Sequence, residues 1–134
     1  MSYNVHIVRT PDWMDAAEFP IVRREVANLV EADPELSWST TEYVDVRNTN
    51  GTIFRLAFIQ WRGTSCFLWK QFQIVAKNPD EAQIAKMIRI AGLLNAMVVG
   101  DHGEQYTLRR TLFGRRRVHT IQPEEESLSL QSAS

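Results

Sequence analysis

The side chains in this chain that can do chemistry near neutral pH are three histidines, His6, His102 and His119, and a single cysteine, Cys66. The densest group of acid/base or ligand residues is Gly100-Asp101-His102-Gly103-Glu104. If the first and last strands met, His6 would join it, and a small enzyme or ligand-binding domain with its site at Asp101, His102 and Glu104 would follow. The simpler reading is a turn, because Asp and His flanked by glycines are ordinary turn residues. The histidines do not form a metal spacing such as HExxH, and there is no phosphate-cradling loop or nucleophile elbow. No catalytic set, metal or cofactor is assigned. Cys66 sits among Phe67, Leu68 and Trp69 and reads as a small buried hydrophobe.

Two other groups of residues suggest contact rather than catalysis. Trp13 stands with Asp15 and Glu18, and Trp38 and Trp61 go with Glu31, Asp33 and Glu35, as aromatic anchors ringed by acids, a pattern that protein interfaces favour. These eight residues form the expected partner surface, whereas Phe19 and Trp69 are expected to close the core. Arg109-Arg110 and Arg115-Arg116-Arg117, with Phe113 between them, resemble the basic-aromatic mixing of nucleic-acid binders. With no basic fold behind them they read as a solvated tail, and nucleic acid is not an expected partner.

The elements that must position these groups follow from periodicity. A chain of 134 residues with net charge −1 is sized for one domain and carries no global pull toward polyanions or membranes. Up to Leu108, ten Lys/Arg stand against thirteen Asp/Glu; beyond it, five Arg stand against three Glu. The N-terminus shows no basic-then-apolar leader, so cytoplasmic residence is the expectation. Residues 3–9 suit a strand, Thr10 to Pro20 an irregular loop, and Ile21 to Glu31 a helix ended by Asp33-Pro34. Trp38 to Arg47 and Thr52 to Trp61 read as strands joined at Asn48-Thr49-Asn50-Gly51, with Cys66 to Ala76 as one further β-rich run. Asn78 is placed as the N-cap of a second helix, Pro79 at its first position and Glu81 in a capping box. Asn95 ends that helix, and Met97 to Gly100 forms a last strand. The expected fold is therefore α+β: a two-layer antiparallel sheet with two helices packed on one face, in the order β-α-β-β-β-α-β. It would fill residues 1–108, and 109–134 would form a mobile tail, basic and then acidic and serine-rich, with a strand extension through Tyr106 to Val118 as the alternative.

Several stretches taken together resemble a family. They are HIVRTPDW at 6–13, Phe19-Pro20-Ile21, Ala32-Asp33-Pro34-Glu35-Leu36, Lys77-Asn78-Pro79-Asp80-Glu81, Lys86-Met87, and Gly100 to Tyr106. The set is similar to a widespread group of small bacterial proteins that resemble immunity proteins of polymorphic toxin systems, of the contact-dependent inhibition or Rhs kind. The resemblance covers residues 6–106. This chain departs from it at Val22, where a polar cap is usual, at Phe72, where a glycine turn is common, and beyond Leu108. It implies a non-catalytic protein whose partner is a cognate toxin domain, blocked by a rigid complementary face. For a basic nuclease-like toxin, an acidic body would speed association.

Overall fold

The strand Asn4–Val8 (β1) has four consecutive buried residues, Val5 to Val8, so both of its faces need cover. In a computed structural model that describes residues 2–122, helix residues cover Val5 and Ile7 on one face, while Ala16 and Trp13 of a short 3₁₀ segment pack on the other with Val8. Among those residues the chain is an α+β protein with three helices and one eight-stranded antiparallel sheet. The strands after β1 are Leu36–Arg47 (β2), Ile53–Trp61 (β3), Thr64–Lys70 (β4), Gln73–Lys77 (β5), Met97–Gly100 (β6), Gln105–Arg110 (β7) and Arg116–Ile121 (β8). Across the sheet they run β2-β3-β4-β5-β1-β6-β7-β8. Pairing His6 with Val75 on one side and Val99 on the other brings residues distant in sequence to the centre.

The order departs from the expected β-α-β-β-β-α-β in two places. The run from Cys66 to Ala76 is two strands, because Gln71 and Phe72 both take positive φ, 51° and 66°, in a two-residue turn between the paired Lys70 and Gln73. Such a turn normally recruits Asn, Asp or Gly. The stretch after Leu108 also continues the sheet: β7 and β8 pair from Gln105↔Ile121 to Arg110↔Arg116 and turn at Gly114, whose φ is 81°. Residues 109–122, expected to be a tail, are thus mostly a hairpin, and 123–134 lie outside the described residues. Strand β3, with its mostly apolar faces, is second from the sheet edge rather than central, and its first half is exposed.

Helix α1 spans Arg23–Ala32 and α2 spans Glu81–Leu93. A short 3₁₀ helix, Trp13–Glu18, lies within the segment expected to be irregular. The α2 cap sits two residues later than its sequence suggests. Asp80 Oδ1 accepts from Gln83 N at 2.8 Å, and Gln83 Oε1 accepts from Asp80 N at 3.0 Å. Asn78 is drawn away by β1: it exchanges hydrogen bonds with the Tyr3 backbone, each 2.7 Å long, at a φ of 48°. At the other end Asn95, φ 52°, lets Ala96 N reach Ala91 O at 2.8 Å and closes the helix. For α1 the missing polar cap at Val22 is offset by Glu25, which accepts from Val22 N at 3.0 Å.

Arg9 ties the two helices together. Its guanidinium donates twice to Leu94 O (2.9 and 2.8 Å), to Pro20 O (2.7 Å) and to both Glu25 oxygens (2.7 and 3.2 Å). One side chain therefore caps the last carbonyl of α2 and fixes the entry to α1. Val26, Leu29 and Val30 from α1 and Met87, Ile90, Ala91 and Leu94 from α2 share one cluster with Val5, Ile7, Phe67, Ile74 and Val98 of the sheet. Burying a side chain such as Phe67, Ile7 or Met87 contributes about 1.5–3 kcal/mol. No helix among the described residues is long and apolar enough to cross a membrane.

Candidate functional site

The β1–β6 pairing brings His6 to the turn that follows β6, joining residues 95 positions apart. His6 Nε2 lies 2.8 Å from Asp101 Oδ1, and Nδ1 lies 2.7 Å from Gln73 Oε1. Both ring nitrogens are therefore engaged by side chains of the fold. Trp13 covers the ring, with centroids 4.6 Å apart and planes within 3°, and its Nε1 donates to Asp101 O. Burial works against charge on Asp101, but the His6 contact, the Asn4 N–H at 2.9 Å and the positive field of the two histidines hold its carboxyl below the usual range.

Asp101 and His102 line an open groove of about 520 Å³, with Asp12, Trp13, Met97 and Val99 as other walls. His6 does not open into it: both nitrogens are engaged and the ring is covered, so no atom is free to exchange a proton with an occupant. Glu104 is turned away as well. It is 5% exposed, and one carboxylate oxygen accepts from the hydroxyls of Tyr3 and Tyr106. Burial first, then Glu104, raises Tyr106 to about 12. A Cβ at Gly100 would fall on that carboxyl group, so this position requires glycine. The expected trio of Asp101, His102 and Glu104 is therefore split, two at the groove and one in the fold. His119 is on β8.

The expected partner residues fall into two sets. Trp13, half-buried, stands beside the exposed Asp15 and Glu18 on the 3₁₀ helix. Ile21 N donates to Phe72 O at 3.0 Å, so the backbone around Phe19 and Val22 runs beside the β4–β5 turn, and Phe19 (62% exposed), Val22 and Phe72 are all exposed. Phe19 is thus exposed rather than closing the core. Trp69 is half-buried, packs on the core and donates to Ile21 O.

In the second set Glu31 is exposed, but Asp33 and Glu35 turn inward to Lys86, whose Nζ lies 2.7 and 2.8 Å from them. Lys86 lowers Asp33, and Lys86, Arg62 and Trp61 together bring Glu35 down to about 2. Trp38 and Trp61 are half-buried against the core, each with an arginine over its ring, Arg23 at 4.9 Å and Arg62 at 5.1 Å. Burial pushes the Cys66 thiol up to about 11, which disfavours a reactive thiolate. Phe72 was not among the expected partner residues: the family resemblance marked a turn there, but a phenylalanine does not advertise one. No protein-family model, curated protein or solved structure matches this chain.

Proposed function

We propose that this chain is a non-catalytic, cytoplasmic protein-binding protein that neutralises a cognate bacterial toxin domain by covering it. In this reading both helices lie on one face of a two-layer fold, leaving the 3₁₀ segment and the β4–β5 turn to meet the partner. The observation that carries the proposal is that Phe19, Val22 and Phe72 are exposed on two segments joined by the Ile21–Phe72 backbone hydrogen bond, with the exposed Asp15 and Glu18 on the 3₁₀ helix just before Phe19. Apolar anchors next to acids suit a basic partner, and exposed aromatics on adjoining segments mark contact surfaces. Asp33 and Glu35 already serve Lys86, so they, with Trp38 and Trp61, are assigned to the fold; Glu31 remains on the surface beside them. The sequence resemblance to immunity proteins supports the same reading.

The test is co-expression with the product of the adjacent open reading frame. Wild-type protein should abolish that product's toxicity and co-purify with it. Phe19→Asp and Phe72→Asp should each weaken capture about 30-fold or more, corresponding to about 2 kcal/mol at an anchor, while circular dichroism stays unchanged. Toxicity that persists beside the wild-type chain would overturn the proposal.

The groove at Asp101 and His102 favours a second reading, a small-ligand site. Chemical-shift changes confined to Trp13, Asp101 and His102 on adding small cationic fragments would support it.

A further inference from the structure

We infer that the β7–β8 ribbon is a nucleic-acid-binding arm that holds the phosphate backbone with its arginines and places Phe113 against bases. In the pairing of these strands Arg109 stands directly opposite Arg117, and Arg110 opposite Arg116. Like charges directly across a strand pair destabilise it, and here it happens twice in succession. Arg109, Arg110, Arg115, Arg116 and Arg117 are all exposed. Among the described residues the carboxylate that meets this group is Glu81, 3.0 Å from Arg117 Nε. A bound polyanion would remove the repulsion that the ribbon otherwise carries.

The occupant follows from three features. All five cations are arginine, whose planar fork pairs with phosphate through two hydrogen bonds and whose face stacks on bases. A two-stranded ribbon has the width to enter the major groove. The tip presents Leu112 (101% exposed) and Phe113 (93%), with Phe113 beside Thr111, Arg115 and Arg117 around a shallow hollow. Aromatic and aliphatic residues at the end of a basic arm are suited to stacking on bases or wedging between steps. This surface is separate from Phe19 and Phe72, and the inference does not depend on the toxin-binding proposal.

The experiment is fluorescence anisotropy of the full-length chain with a labelled 20-base-pair DNA duplex and a single strand of the same sequence, from 20 to 200 mM salt. Full length is used because three acids, Glu124, Glu125 and Glu126, follow the ribbon in sequence. Duplex affinity should fall with salt at a log–log slope of about −2, the value for two to three phosphate contacts, because successive positions alternate faces and set Arg110 and Arg116 on the face opposite Arg109 and Arg117. The Arg110→Gln/Arg116→Gln variant should bind at least tenfold more weakly while its melting temperature rises, because an opposed pair has gone. Phe113→Ala should weaken single-strand binding about tenfold and leave the salt slope unchanged. Salt-independent binding, unaltered binding by the double variant, or a fall in its melting temperature would overturn the inference. So would capture by phosphatidylserine vesicles without binding to either DNA.

Discussion

Arg9 and the arginines of the ribbon are the same residue in opposite circumstances. Around Arg9 the fold supplies two backbone carbonyls and a carboxylate, so the cation fastens three segments. Lys86 is treated likewise, 9% exposed between Asp33 and Glu35. On β7 and β8 the chain instead sets Arg109 against Arg117 and Arg110 against Arg116. What separates a structural cation from one turned toward a partner is the set of acceptors the fold has already placed around it. Where few are placed, as on the ribbon with Glu81 beside Arg117, the charge is available to another molecule at some cost in stability.

Substitutions should divide along this line. Arg9→Met should have the largest effect, a loss of about 3 kcal/mol in urea denaturation, because Glu25, Pro20 O and Leu94 O all lose their donor. A loss below 1 kcal/mol would remove Arg9 from its class. Lys86→Met should cost about 2 kcal/mol, since Asp33 is left without its cation in a half-buried setting. Acid should act through the same cluster. Asp33 and Glu35 have lowered values in the folded chain, so as pH falls the unfolded chain binds protons first. Their contribution is complete above about pH 5 and is lost progressively toward pH 2. The urea midpoint should therefore fall across that window, and Lys86→Met should flatten the slope. At the small end, Arg110→Gln alone should stabilise by about 0.5 kcal/mol at low salt, with the gain shrinking as salt rises. If it destabilises instead, the contrast between the two kinds of arginine fails.

How much of this was legible in the sequence depended on how local each signal was. The second helix between Asn78 and Asn95 and the strand Met97–Gly100 can each be read within one window, and both elements are found there. The cap at Asp80 was displaced because Asn78, locally the better candidate, is claimed by Tyr3 across 75 residues. The break at Gln71-Phe72 has no turn chemistry of its own, so composition ran the two strands together. The hairpin after Leu108 was legible only as the alternative of a strand extension from Tyr106 to Val118, because facing arginines look like a solvated tail until their pairing is known. For the site, the sequence could name His6 and Asp101 as possible neighbours. It could not foresee that Gln73 and Trp13 would seal the imidazole, since that needs β5, β1 and β6 side by side.

Phe72 holds an exposed ring at a φ of 66°, where glycine would rest without strain. Two laboratory selections should therefore pull this codon in opposite directions. Growth under heat would enrich glycine there and yield a sturdier chain, whereas, under the proposed toxin-binding function, survival beside the toxin would retain the aromatic. The residue that each population settles on records which of the two demands has shaped the turn.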